Sequence, residues 1–108
     1  MSGTDQLLGS IDLLILKALA AEPLHGYGIA SRIHRFSDEA LKVGEGTLYP
    51  ALHRLTQKGH VKAEWRQSET NRRARFYSLT PAGRKQLAIE QERWDRVTAA
   101  VGRFLKFA

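Results

Sequence analysis

Between Arg54 and Arg75 the sequence sets seven basic side chains, Arg54, Lys58, Lys62, Arg66, Arg72, Arg73 and Arg75, against two acids, Glu64 and Glu69. That segment carries a charge of +5 in a chain whose formal total is +6. Just ahead of it, in "GEGTLYPALHRLTQKGHV" (44–61), stand Thr47, Tyr49, Pro50 and His53. Focused cations do the chemistry of charge neutralisation, and with a sequence pI near 10.1 they point to an anionic partner without saying which one.

Other chemistries lack their residues. The four histidines (25, 34, 53 and 60) form no H-E-x-x-H and sit near no clustered carboxylates, so neither a metal site nor a cofactor is expected. No Ser/His/Asp set or paired carboxylates imply an enzyme. Gly26 and Gly28 make a G-x-G, but no strand is expected ahead of it, and turn geometry is the reading. The absence of cysteine excludes disulfides and fits a reducing cytoplasm. Met1 to Gln6 lacks the layout of a signal peptide, and the apolar stretch Ile11 to Ala21 carries Asp12 and Lys17 and is too short to span a bilayer. A cytoplasmic protein of one domain is expected from 108 residues.

Holding cations in place takes a rigid frame, and the apolar spacing supplies one. Leu7, Leu8, Ile11, Leu14, Ile15, Ala18 and Leu19 recur at steps of three, four and seven, the stripe of a helix buried along one side; Glu22-Pro23 ends it. A second helix follows "LHGYG", with Ile29, Ile33 and Phe36 inward and Ser31, Arg32 and Arg35 outward, closing near Ser37-Asp38. In the third, Leu48, Leu52 and Leu55 face the core, and at about 100° per residue the far side carries Gly46, Tyr49, Pro50, His53, Arg54 and Gln57. With Thr47 as its cap, Pro50 falls at the third helical position, where a missing N–H costs no intrahelical bond. Gly59 supplies the stop.

Val61, Ala63 and Trp65 alternate with Lys62, Glu64 and Arg66, which predicts a half-buried strand, with "QSETN" as its turn and "RARFYSLT" as the return strand. Phe76 and Tyr77 point to opposite faces of that return strand, so alternation leaves its inner face open. Thr80-Pro81 starts a last helix of roughly 26 residues, about 39 Å, ending near Leu105. In it Leu87, Trp94, Val97, Val101 and Phe104 keep the spacing of a coiled-coil seam. A helix longer than the core needs implies a partner chain. The order of elements is that of a winged helix-turn-helix, mainly α with a small β-hairpin: residues 1–79 as the DNA-binding part and 80–108 as a dimerisation helix, in one compact unit.

A helix backed by three leucines suits a major groove about 12 Å wide. Thr47, Tyr49, Pro50, His53 and Arg54 would be its outer probe, and Gly44 and Gly46 let the backbone come close to phosphate. Lys42 adds a charge upstream. Asn71, Arg72 and Arg73 at the hairpin tip can reach phosphates or a minor groove. Plainer readings stand beside these. Tyr49 can pack against the second helix, His53 and Arg54 can be solvated, Lys58 can serve the helix dipole, and Arg75 can pair with Glu64 across the hairpin.

Together "LLILKALAAEPLHGYGIASRI", "VGEGTLYPALHRLTQKGHV", "RARFYSLTPAGRKQL" and the Trp-bearing tail resemble the PadR-like transcriptional regulators over residues 7–105, in the short form with a single C-terminal helix. The resemblance implies a homodimeric repressor on a pseudo-palindromic operator, with half-sites about one helical turn apart and the first and last helices at the dimer contact. It also implies an apolar cleft between subunits where a planar aromatic effector weakens DNA binding. Trp94 would line that cleft with Leu14, Ala18, Val97 and Val101 as neighbours, or serve as dimer core without a ligand. The short form lacks the larger C-terminal domain of longer members. The rival is a winged-helix module that binds protein or RNA; the local +5 favours nucleic acid, and a two-fold seam favours duplex DNA.

Overall fold

The computed structural model describes residues 3–67 and 69–108, the first seven of them by backbone alone. Leu7 and Leu8 as inward side chains, and Ser68 in the expected turn, therefore lie outside the described residues. Along the rest the elements are α1 (Gly3–Ala21), β1 (Leu24–His25), α2 (Gly26–Phe36), α3 (Glu45–Gln57), β2 (Val61–Gln67), β3 (Arg73–Leu79) and α4 (Pro81–Phe107).

α1 is the central packing element. Its stripe of Ile11, Ile15, Leu16, Ala18 and Leu19 is buried, and it touches α2, α3, α4 and β3. It stops at Ala21, where Glu22-Pro23 disfavours a further helical turn. His25 caps α2, its Nδ1 accepting from the Gly28 N–H at 2.9 Å. Ile29 and Ile33 are buried, but Phe36 is 69% exposed, against expectation. It lies on the inward face of a helix that outruns the core, and the Arg32 and Arg35 guanidinium groups sit over its ring at 4.6 and 5.0 Å.

α3 begins earlier than its side chains suggest. Gly44, not Thr47, is the cap, and its carbonyl accepts from both Thr47 N and Leu48 N, at 3.1 and 2.9 Å. Pro50 is thus the sixth helical residue and removes the bond that the Gly46 carbonyl would have accepted. Gly46 and Pro50 are both exposed, so the gap lies on the solvent side of the helix. Leu48, Ala51, Leu52 and Leu55 form the buried side. At the other end Gly59 takes φ +79°, Gly59 N bonds Thr56 O and His60 N bonds Leu55 O, the paired closure that a left-handed residue makes possible.

The sheet has three antiparallel strands in the order β1-β3-β2. β1 is not expected from the sequence pattern, yet a strand does precede Gly26. It is two residues long and pairs antiparallel, Leu24 with Tyr77 and His25 with Phe76, which is not the parallel unit of a dinucleotide fold. Register decides the inner face: Val61 lies opposite Leu79 and Ala63 opposite Tyr77, and Val61 and Tyr77 are buried. Phe76 faces the other way, its ring edge-on to His25 at 5.3 Å. Trp65, expected to be half-buried, shares the inner face but is 58% exposed, because the hairpin runs beyond the helices and sets it opposite Arg75. The pairing of Glu64 with Arg75 is not made; Glu64 lies opposite Phe76 and holds Arg66 of its own strand.

Thr80 fixes the start of α4 with one hydroxyl. It accepts from Gly83 N at 3.0 Å and donates to Gly59 O at 2.6 Å, tying the new helix to the end of α3. Gly83 is buried there, and a Cβ on it would run into the His60 carbonyl oxygen. α4 extends to Phe107, two residues past expectation, and from Gln91 onward all of it is exposed.

Candidate nucleic-acid interface

Opposite the buried leucines, the outer face of α3 is centred on Gly46, Pro50, His53 and Gln57, all exposed. Thr47 and Arg54 lie on one flank and Tyr49 on the other. Tyr49 satisfies both of its readings: its ring packs over Gly26 at the start of α2, where a Cβ would collide with the hydroxyl, yet it stays 44% exposed. Arg54 turns toward α1, its Nη2 donating to Asp12 Oδ1 at 3.0 Å. Lys42 is exposed in the loop that leads into the Gly44 cap.

The hairpin tip is shaped by Asn71, in the left-handed region at φ 62°, a conformation asparagine tolerates. Its side-chain oxygen accepts from Gln67 Nε2 at 2.6 Å. Asn71, Arg72 and Arg73 are all exposed, and the Arg73 guanidinium stands 5.5 Å from the Trp65 ring. Between this wing and the helices lies a hollow of about 550 Å³ lined by Tyr27, Tyr49, Trp65, Arg72, Arg73 and Arg75 among others. Two of the elements expected to meet an anion therefore open onto one concavity with cationic and aromatic walls.

Of these, Tyr49, Arg72 and Arg73 are the residues that the sequence singles out for an anion, Arg75 belongs to its basic segment, and Tyr27 and Trp65 are not singled out. Tyr27 carried a signal, an aromatic between two glycines in a turn, and it is 80% exposed. That Trp65 and Arg75 belong together becomes legible only with the register, which puts the cation opposite the ring. Charge on this side is not uniform. The Arg66 hydrogen bond, and then its charge, hold the Glu64 carboxyl below the usual carboxylate range, so Arg66 is engaged within its own strand. Burial pushes the Tyr77 hydroxyl up, while the Arg75 charge pulls it partly back.

α1 and α4 border an open hollow of about 500 Å³, where Trp94, Val97 and Val101 meet Ser10 and Leu13. Leu14 and Ala18, expected beside Trp94, are not there. They line a separate hollow of about 290 Å³ with Ile33, Phe36 and Leu41, because a residue one position along α1 points about 100° away.

Residues 15–89 match the transcriptional regulator PadR-like family. A transcriptional regulator of Mycobacterium tuberculosis is 33% identical over 92 residues, covering 85% of this chain and 82% of that protein. A 37.1 kDa protein in a transposon of Streptomyces fradiae is 43% identical over 89 residues, 82% of this chain but only 24% of that relative's length. Among solved structures, a transcriptional regulator from Clostridium thermocellum superposes with a TM-score of 0.83 at 32% identity, over 93% of this chain and 97% of that one. Among the described residues, no helix is long and apolar enough to cross a membrane.

Proposed function

The chain belongs to the PadR-like family of transcriptional regulators, and from that premise we propose that it is a homodimeric, sequence-specific repressor, released from a pseudo-palindromic operator by a planar aromatic effector. The family acts on transcription and not as enzymes. On this reading the protein works in the cytoplasm, and duplex DNA is its partner.

One observation carries the proposal: Tyr49 of α3 and the arginines of the wing line the same hollow. A duplex offers a major groove and the adjoining minor groove side by side, and a helix and a basic hairpin on one face can address both. Gly46, Thr47, Tyr49, Pro50 and His53 then stand nearest the groove floor and its rim, with Arg54 at the flank. Asn71, Arg72 and Arg73, with Lys42 at the approach, supply contacts to the backbone that position the protein without reading sequence.

The second half of the proposal rests on α4. Trp94, Val97, Val101 and Phe104 leave an apolar seam exposed on α4. A second copy seated along it would enclose the α1–α4 hollow and give a flat apolar effector a place beside Trp94.

The wing is tested by replacing Arg72 and Arg73 with alanine and measuring duplex affinity across salt. Two lost phosphate contacts flatten the dependence by roughly 1.8 units of log K per log salt and weaken all duplexes alike. An unchanged slope would take the wing out of the interface.

A further inference from the structure

The pair formed by Arg54 and Asp12 joins the DNA-facing helix to α1 across 42 residues of sequence, at 3.0 Å. Arg66–Glu64, Arg93–Glu90 and Arg96–Glu92 each stay within one element, so those partners move together; Arg54 and Asp12 belong to different helices. Neither is locked away, with side chains 48% and 28% exposed, and so the pair can open without breaking the core. A carboxylate offers a guanidinium the same two-oxygen, charged acceptor that a backbone phosphate offers.

We propose that Asp12 restrains DNA binding: in the free protein it occupies Arg54, and it competes with backbone phosphate for that guanidinium. The inference rests on the DNA-binding reading above and adds an internal rival to the nucleic acid. The packing of α1 bears on that rivalry. Ser10 and Leu13, on either side of Asp12 in sequence, line the α1–α4 hollow with Trp94 and Val97, so the seating of α1 on α4 sets where the carboxylate stands.

The test is the affinity of the full chain for a mixed-sequence duplex, measured by fluorescence anisotropy for wild type, Asp12→Asn, Asp12→Ala, Asp12→Glu, Arg54→Gln and the double variant Asp12→Asn/Arg54→Gln. Freed of a surface ion pair, Asp12→Asn and Asp12→Ala bind about two- to fivefold more tightly, and Asp12→Glu returns to wild type. In the Arg54→Gln background the gain disappears. An ion pair that served the fold alone would give weaker or unchanged binding when broken. No gain in either neutral variant overturns the proposal. So does an equal gain without Arg54, which would make Asp12 a simple repeller of phosphate. Failure of the wild type to bind duplex at all sinks the functional reading itself, a result distinguishable from either.

Discussion

α3 and α4 each carry one apolar stripe, and the chain treats them in opposite ways. In α3, Leu48, Leu52 and Leu55 are 2%, 1% and 1% exposed, covered by α1 and the sheet. In α4, Trp94, Val97 and Val101 remain 49%, 53% and 50% exposed, and Phe104 69%. Apolar area left in water is unfavourable by roughly 25 cal/mol per Å², so both stripes ask for cover; one finds it within the chain, and in the proposed dimer a second copy covers the other. Periodicity therefore announces that a face will be covered without saying by what. The division also fits the two proposed roles: α3 is fixed by its own core to present a polar face, while α4 leaves its apolar face open to a second copy.

Truncating a leucine on the covered stripe gives the largest effect. Leu52→Ala lowers folding stability by roughly 2–5 kcal/mol, read from chemical denaturation, and by the same amount at any protein concentration. A loss below about 1 kcal/mol would mean that α3 is not held by the core described here. A charge on the uncovered stripe does less to the fold and more to assembly. Val101→Asp changes the stability of the single chain by under about 0.5 kcal/mol, as surface substitutions do, but in sedimentation it converts a micromolar dimer into monomer. If Val101→Asp stays dimeric, the seam is not the contact; if it unfolds as Leu52→Ala does, the two stripes are not different in kind.

Much of the frame could be read from local signals that act locally. Glu22-Pro23 and Thr80-Pro81 mark the end of α1 and the start of α4 because proline restricts its own neighbourhood, and Gly59 marks the end of α3 because a left-handed residue belongs there. What escaped depended on distance. Gly44 caps α3 with no side chain to advertise it, so the better capping residue, Thr47, drew the boundary three residues too late. β1 is a strand only because β3 lies beside it. Phe36 and Trp65 point where their periodicity says, but direction does not reveal where the core ends. Arg54 is legible as an exposed cation on the outer side of α3; its partner on α1 is not, since no local pattern connects positions 42 residues apart.

The central claim is that α3 and the wing read duplex DNA as two copies related by a two-fold axis. Selecting bound fragments from a random duplex library tests it most directly. The expected result is an enriched motif with two-fold symmetry and half-sites about one helical turn, roughly 10 base pairs, apart. Fragments retained through charge alone, with no motif emerging, or a half-site enriched without its symmetric mate, would contradict it.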